Sequence, residues 1–197
     1  MCPVEQIIPS CSDDLLLYFP YEDHYNDVTC HHAIATQYGS DVSIVAIAFL
    51  RTWFAENNVD KFSVAVWFQR AGALSPKAAI VNNRNCKQTA GFSVSYENSQ
   101  VTGSITVNSE VVLDPLPMAD NEWHHAAWVY DGQTLQLYID GKLKSHDVMT
   151  GFMQNNDVPM RIASNCDDYF VGCLDELRVY SRVFTLDDIN NLRNLPQ

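Results

Sequence analysis

The alternation of apolar and polar positions along this chain is that of β-strands. Short runs rich in Val, Ile, Phe, Tyr and Trp are separated by Gly, Asn, Asp and Pro, which favours an all-β sandwich or barrel. Asp131-Gly132 and Asp140-Gly141 follow two such runs, and this dipeptide favours tight hairpin turns. The predicted strands are Leu15–Phe19, Ser43–Phe49, Phe62–Phe68, Ala78–Val81, Phe92–Tyr96, Gly103–Val107, Glu110–Leu113, Trp123–Tyr130, Leu135–Ile139, Met160–Ser164 and Gly172–Tyr180.

Only the C-terminus has a helical pattern. Thr185 can cap a first turn, and Asp187 and Asp188 suit the positive end of a helix dipole. The apolar residues that share one face of this helix are Leu186, Ile189 and Leu192. We therefore expect a short helix packed on the sandwich.

Three segments in order carry a family resemblance. They are 62–68, 123–142 with its sequence WHHAAWVYDG and LQLYIDGK, and 170–184 with FVGCLDELRVY. They resemble the core strand, signature hairpin and closing strand of laminin-G-like, concanavalin A-like domains over about residues 14 to 193. The resemblance implies an all-β fold, a two-sheet antiparallel jelly-roll sandwich with a short C-terminal helix. The segment 44–58 and the Cys-rich start have no clear counterpart in that family.

Both faces of the strand Trp123–Tyr130 carry large side chains. One face holds Trp123, His125, Ala127 and Val129, and the other holds His124, Ala126, Trp128 and Tyr130. We expect one face to line the core and the other to line a groove or to lie beneath covering loops. The tryptophans are therefore interpreted as core residues in preference to sugar-stacking platforms.

The length and charge limit the possible functions. The 197 residues predict one domain over 1–197, which begins with an irregular, Cys-rich segment at 1–30. The net charge of −12 excludes nucleic acid and anionic membranes as favoured partners. It favours divalent cations, basic proteins or a mineral face, although simple solubility explains it equally well. The longest apolar stretch, Ile44–Leu50, is too short for membrane insertion.

The cysteines predict a secreted protein, and the laminin-G-like resemblance implies a place in the extracellular matrix. An even set without a Cys-x-x-Cys pair indicates disulfides formed in an oxidising compartment, and the set is Cys2, Cys11, Cys30, Cys86, Cys166 and Cys173. Cys166 and Cys173 flank a predicted turn and are candidates for a local pair. Zinc at Cys30-His31-His32 is the disfavoured alternative, because the spacing of structural zinc ligands is absent. The start of the chain lacks a signal peptide and is interpreted as a mature or excised domain boundary.

Calcium is the metal that the sequence favours, because acidic and amide side chains cluster at loop positions. Asp175 alternates in phase with Leu177 and Val179, so on a buried face its carboxylate needs a cation or hydrogen-bond donors. The resemblance implies a site between the acidic loop after the opening strand and the closing strand. The predicted ligands are Glu22, Asp23, Asp27 and Asp175. The alternative, in which Asp175 accepts backbone N–H groups and the loops are solvated, stays open.

No catalytic pattern is present in the sequence. A glycoside hydrolase of the retaining type needs two close carboxyl groups, which a Glu-x-Asp-x-Glu strand supplies, and no such run exists. Asp175 and Glu176 are adjacent and are expected to point to opposite faces. A Gly-x-Ser-x-Gly nucleophile elbow is also absent. The prediction is a protein that is not an enzyme.

The function predicted from these features is a non-catalytic binding module of a larger secreted matrix or adhesion protein. It would recognise an extracellular glycan or matrix protein with the help of calcium. An acidic structural domain of a calcium carbonate or chitin matrix is the alternative, since acidic shell-matrix proteins contain modules similar to this one. A glycoside hydrolase is a third possibility, which rests on fold analogy alone.

Overall fold

A computed structural model describes residues 14–19, 35–38, 44–47, 54, 57–70, 77–84, 89–165 and 168–195. The strands are β1 (Leu15–Phe19), β2 (Ala35–Tyr38), β3 (Ile44–Ile47), β4 (Phe62–Arg70), β5 (Lys77–Asn82), β6 (Phe92–Glu97), β7 (Gln100–Thr106), β8 (Glu110–Val112), β9 (Leu116–Pro117), β10 (Trp123–Tyr130), β11 (Thr134–Ile139), β12 (Lys142–Val148), β13 (Met160–Ile162), β14 (Ser164–Asn165), β15 (Asp168–Tyr169) and β16 (Gly172–Tyr180). A helix, α1, spans Leu186–Arg193.

The strands form the two antiparallel sheets of a jelly-roll sandwich, as predicted. A six-stranded sheet has the order β1-β16-β4-β10-β11-β12. An eight-stranded sheet has the order β2-β3-β13-β5-β6-β7-β8, with β9 paired to β7. The strands β14 and β15 pair separately as a small hairpin.

The core lies between the two sheets, where alternate residues of each strand meet. Trp128 of β10 is 1% exposed and packs against Phe62 and Phe92, with ring centroids 4.8 and 5.0 Å away. The indole occupies space that only a glycine leaves free: a Cβ built on Gly103 of β7 would lie 2.4 Å from its Nε1 atom. Trp128 is therefore a core residue, as expected from the sequence.

The opposite face of the six-stranded sheet is covered by the C-terminal segment. Ala65 of β4 and Ala127 and Val129 of β10 form a second apolar cluster with Phe184 and Ile189. Small side chains on the sheet allow the helix to approach closely. This confirms that both faces of β10 are packed, and it identifies α1 as one of the covering elements.

Helix α1 begins with a reciprocal cap. Thr185 Oγ1 accepts the N–H of Asp188 at 3.1 Å, and the Asp188 carboxylate accepts the N–H of Thr185 at 2.8 Å. The Arg182 guanidinium adds a bidentate ion pair to Asp188, with both N–O distances at 2.8 Å. The predicted cap and its acidic first turn are confirmed.

β12 was not predicted, nor were β2, β9, β14 and β15. The sequence of β12, KLKSHDV, does not alternate between apolar and polar residues, because six of its seven residues are exposed at the edge of the six-stranded sheet. Lys142 and Lys144 lie on this strand, and charged edge residues discourage pairing with another chain. An edge strand of this kind carries little of the hydrophobic signal on which sequence analysis depends.

A bulge in β16 corrects the predicted phase of Asp175. The register with β4 shifts between Asp175 and Arg178, and Glu176 adopts a positive φ of 52°. Asp175 consequently lies opposite Trp67, on the face away from the core, whereas Leu177 and Val179 belong to the core. The expected alternation from Asp175 to Val179 is wrong because the bulge inserts one extra residue.

Candidate functional site

A cleft of about 260 Å³ opens between the edges of the two sheets, beside β9 and the turn from β11 to β12. β9, which contributes to its wall, is only two residues long. Its apolar lining comes from Leu116, Pro117, Met118, Ala119 and Ile139, and its polar lining comes from His124, Asp140 and Lys144. The cleft thus combines an apolar wall with a few convergent polar groups, which is typical of ligand sites.

Asp140 is the most strongly oriented polar group in the cleft. One carboxylate oxygen accepts the backbone N–H of His125 at 3.0 Å, and the other lies 3.0 Å from Nδ1 of His124. Each oxygen keeps further lone pairs, and the side chain is 44% exposed. Asp140 can therefore accept hydrogen bonds from a ligand without losing its own partners.

The turn that carries Asp140 is fixed by its backbone conformation and by helix α1. Asp140 and Gly141 both have positive φ, at 52° and 78°, which suits a tight hairpin turn. Arg193 donates a hydrogen bond to the Asp140 carbonyl at 2.8 Å, and a Cβ on Gly141 would lie 2.9 Å from Oδ1 of Asn190. The helix end packs directly on the turn and holds the carboxylate in place.

The opposite wall of the cleft is anchored from the other sheet. Met118 donates its N–H to the Ser99 carbonyl at 2.9 Å. Asp120 accepts hydrogen bonds from the Tyr96 hydroxyl at 2.9 Å and from Arg70 at 3.0 Å. Burial raises the pKa of Tyr96, so the phenol stays a hydrogen-bond donor at neutral pH. Both walls are therefore pre-organised.

His125 has a structural role on the face of β10 opposite to that of the cleft residue His124. It is 2% exposed, and its ring lies 5.3 Å from that of Trp67. Burial lowers its pKa to about 4, and the Asp140 carboxylate opposes that effect only in part. The imidazole is neutral at physiological pH and packs as part of the sheet.

Asp175 and Glu176 lie on the bulged strand rather than in the cleft. Asp175 is 7% exposed, and its carboxylate accepts the N–H of Glu176 at 2.8 Å. Glu176 is equally buried and forms an ion pair with Arg178, which faces Ala65 on the helix side of the sheet. The bulge breaks the simple alternation that would place these two carboxylates on opposite faces.

The remaining predicted site residues are largely outside the described part of the chain. These are Glu22, Asp23, Asp27, Cys2, Cys11, Cys30, Cys86 and Cys166. Cys173 is partly buried and is a free thiol in the structure, and its predicted pairing with Cys166 falls outside the described residues. Among the described residues, no group of three acidic, histidine or cysteine side chains is arranged to hold a metal, and no helix is long and apolar enough to cross a membrane.

The cleft residues were not predicted as a site. The Asp140-Gly141 pair was interpreted only as a turn, and His124 only as one residue of the signature strand. A carboxylate that follows a strand and precedes a glycine is compatible with many roles. No sequence spacing connects Asp140 to Met118, because these residues line the same cleft only through the packing of the two sheets.

Comparisons with known proteins agree with this architecture. The family model of the concanavalin A-like lectin and glucanase superfamily matches residues 50–190. No curated protein sequence matches the chain.

Several solved structures are similar in fold. The receptor-binding domain of botulinum neurotoxin mosaic serotype C/D has a TM-score of 0.73 and 15% identity over 93% of this chain and 51% of its own. That of botulinum neurotoxin D has a TM-score of 0.70 and 15% identity over 92% of this chain and 52% of its own. A structure of botulinum neurotoxin type C, whose cell entry depends on interaction with two ganglioside molecules, has a TM-score of 0.71 and 13% identity over 92% of this chain and 51% of its own. The chain therefore spans about half the length of these structures.

Proposed function

The chain belongs to the concanavalin A-like lectin and glucanase superfamily, and from this membership we propose that it is a non-catalytic, glycan-binding module of a larger secreted matrix or adhesion protein. The observation that carries the proposal is the fold shared with toxin receptor-binding domains, one of which depends on gangliosides for cell entry. A protein ligand is the variant of this proposal that the same fold allows.

The burial and the ion pair of the Glu176 carboxylate on β16 support the proposal that the domain is not catalytic. Glu176 is buried and its charge is engaged by Arg178, so it is not poised to protonate a leaving group. A reducing-sugar assay on laminarin and related glucans should therefore give no turnover. Turnover that Glu176→Gln abolishes would establish a hydrolase instead.

Calcium assistance is part of the proposal. β1 ends at Phe19, which pairs with Leu177 of β16, and the proposal is that Glu22, Asp23 and Asp27, which follow β1 in the sequence, meet Asp175 there. Carboxylates brought together in this way repel each other unless a cation or donors intervene. Calcium at a hundredfold excess over its dissociation constant would stabilise the fold by about 2.7 kcal/mol.

Thermal melting in millimolar calcium and in EDTA tests this part of the proposal. We expect a higher melting temperature with calcium, and we expect Asp175→Asn to remove the difference while the circular dichroism of the sheet stays unchanged. Equal melting temperatures in calcium and EDTA, with no heat of binding, would show that Asp175 serves only as a hydrogen-bond acceptor.

A role as an acidic structural domain in a mineral or chitin matrix is favoured by one observation, the net charge of −12. Such a charge attracts cationic surfaces over a range limited by salt. A glycan array run beside pull-downs on chitin and calcium carbonate separates the two functions. Glycan binding without retention on mineral supports the lectin-like function, and the reverse supports the matrix function.

A further inference from the structure

We infer that the cleft between β9 and the Asp140–Gly141 turn binds one neutral sugar ring. This inference rests on the proposed glycan-binding function and assigns to it a site and a class of sugar. The cleft residues lie within 116–144, where every residue is described, and both walls are anchored by hydrogen bonds from the fold.

The size of the cleft limits the ligand to a small group. Its volume of about 260 Å³ is just below the range of roughly 300–1,000 Å³ that is usual for drug-sized ligands. A single pyranose ring fits this space, and the rest of an oligosaccharide would extend into solvent through the open side. The site therefore recognises a terminal residue in preference to the interior of a chain.

The chemistry of the lining matches the two kinds of surface on a sugar. Leu116, Pro117 and Met118 present apolar atoms to the C–H face of a ring. Asp140 offers oriented acceptors for hydroxyl groups, and the ammonium group of Lys144 offers donors. A pair of vicinal hydroxyls can thus donate to the carboxylate and accept from the ammonium.

The charges favour a neutral sugar over an anionic one. Asp140 and Lys144 offset each other within the cleft, so a ligand gains no net attraction there. The chain as a whole carries a charge of −12, which repels sialylated or sulfated glycans. The expected ligand therefore differs in charge from gangliosides, which carry sialic acid.

The test uses the chain 1–197 on an array of neutral, sialylated and sulfated oligosaccharides, followed by calorimetry with the neutral oligosaccharide that binds best. Ala119→Trp fills the cleft from its exposed rim without removing a hydrogen bond, and should abolish binding. Val112→Trp, on exposed β8 and outside the cleft lining, is its matched control.

Two charge variants test the polar groups. Asp140→Asn should weaken binding about tenfold or more, since it removes a charged acceptor. Lys144→Gln should weaken it about three- to tenfold. Asp147→Asn and Lys142→Gln, both on β12 and outside the cleft lining, should leave it unchanged. Melting temperatures of all variants identify any loss of folding, and Ala119→Trp keeps the test valid if Asp140→Asn is unstable.

The outcomes separate the inference from the proposed function. Binding to a neutral glycan that Ala119→Trp abolishes and Val112→Trp spares supports both. Glycan binding that survives Ala119→Trp, or that is confined to sialylated or sulfated glycans, overturns the cleft assignment and leaves the lectin-like function standing. No binding to any glycan overturns both.

Discussion

Replacing Gly103 with alanine should destabilise the domain through a collision with Trp128. The new methyl group would lie 2.4 Å from Nε1 and 2.7 Å from Cδ1 of the indole, inside van der Waals contact. Trp128 cannot retreat freely, because Phe92 is stacked 5.0 Å away and the indole is 1% exposed. Overpacking of this kind costs about 1–3 kcal/mol.

A smaller effect opposes this cost. Alanine restricts the unfolded chain more than glycine, which favours the folded state by about 0.4–1 kcal/mol. The 2.4 Å contact places the overpacking cost in the upper part of its range, about 2–3 kcal/mol, so the net destabilisation is about 1–2.6 kcal/mol and the melting temperature should fall by about 2–10 °C for a chain of this size. Thermal unfolding followed by circular dichroism measures it directly.

A double-mutant cycle identifies the cause. Trp128→Phe removes the colliding atoms, so Gly103→Ala should cost at least about 0.5 kcal/mol less in that background than in the original chain. If alanine costs the same in both backgrounds, the collision is not the reason for the loss. If Gly103→Ala is as stable as the original chain, the strands move apart more easily than the close packing implies.

Two further predictions concern the helix cap and the cysteines. The bidentate hydrogen bonds from Arg182, against a partial opposing effect of burial, hold the pKa of Asp188 well below its usual range. A carboxyl group whose pKa is lowered in the folded state stabilises the fold at a pH above its unfolded pKa, and this contribution is lost as the pH falls. The difference in melting temperature between the original chain and Asp188→Asn should therefore be full at about pH 6 and shrink below about pH 4. A difference that does not depend on pH would contradict the assignment. The disulfide framework predicts that alkylation without prior reduction leaves the intact mass unchanged. Two added labels would identify one unpaired couple that could include Cys173, and six would refute the framework.

Much of the sandwich was predictable because its central strands carry the strongest signals. β4, β10 and β16 were recognised from runs that alternate between two packed faces, and their observed bounds lie close to the predicted ones. Thr185 and Asp188 were likewise predictable, because a helix cap depends on residues three positions apart. Local chemistry therefore specified these elements.

The site was harder to predict because its geometry depends on pairings between distant segments. The bulge at Glu176 changes the face on which Asp175 lies, and no residue type in the segment CLDELRVY predicts a β-bulge. Asp140 becomes a pre-organised acceptor only because His124, His125 and Arg193 converge on it. These contacts follow from the tertiary structure, and no periodic pattern of residues in the sequence predicts them.

The pairing of β1 with β16 has a consequence for how the domain folds. Leu15 pairs with Tyr180, so the six-stranded sheet is completed by strands from nearly opposite ends of the chain. Among the described strands, β16 lies between β1 and β4, so β1 and that edge of β4 lack this partner until β16 has been synthesised. Contacts of such large sequence separation slow folding and leave sheet edges exposed for longer. During synthesis the six-stranded sheet therefore remains incomplete until residue 180 has left the ribosome, and until then this edge of β4 is open to pairing with another chain.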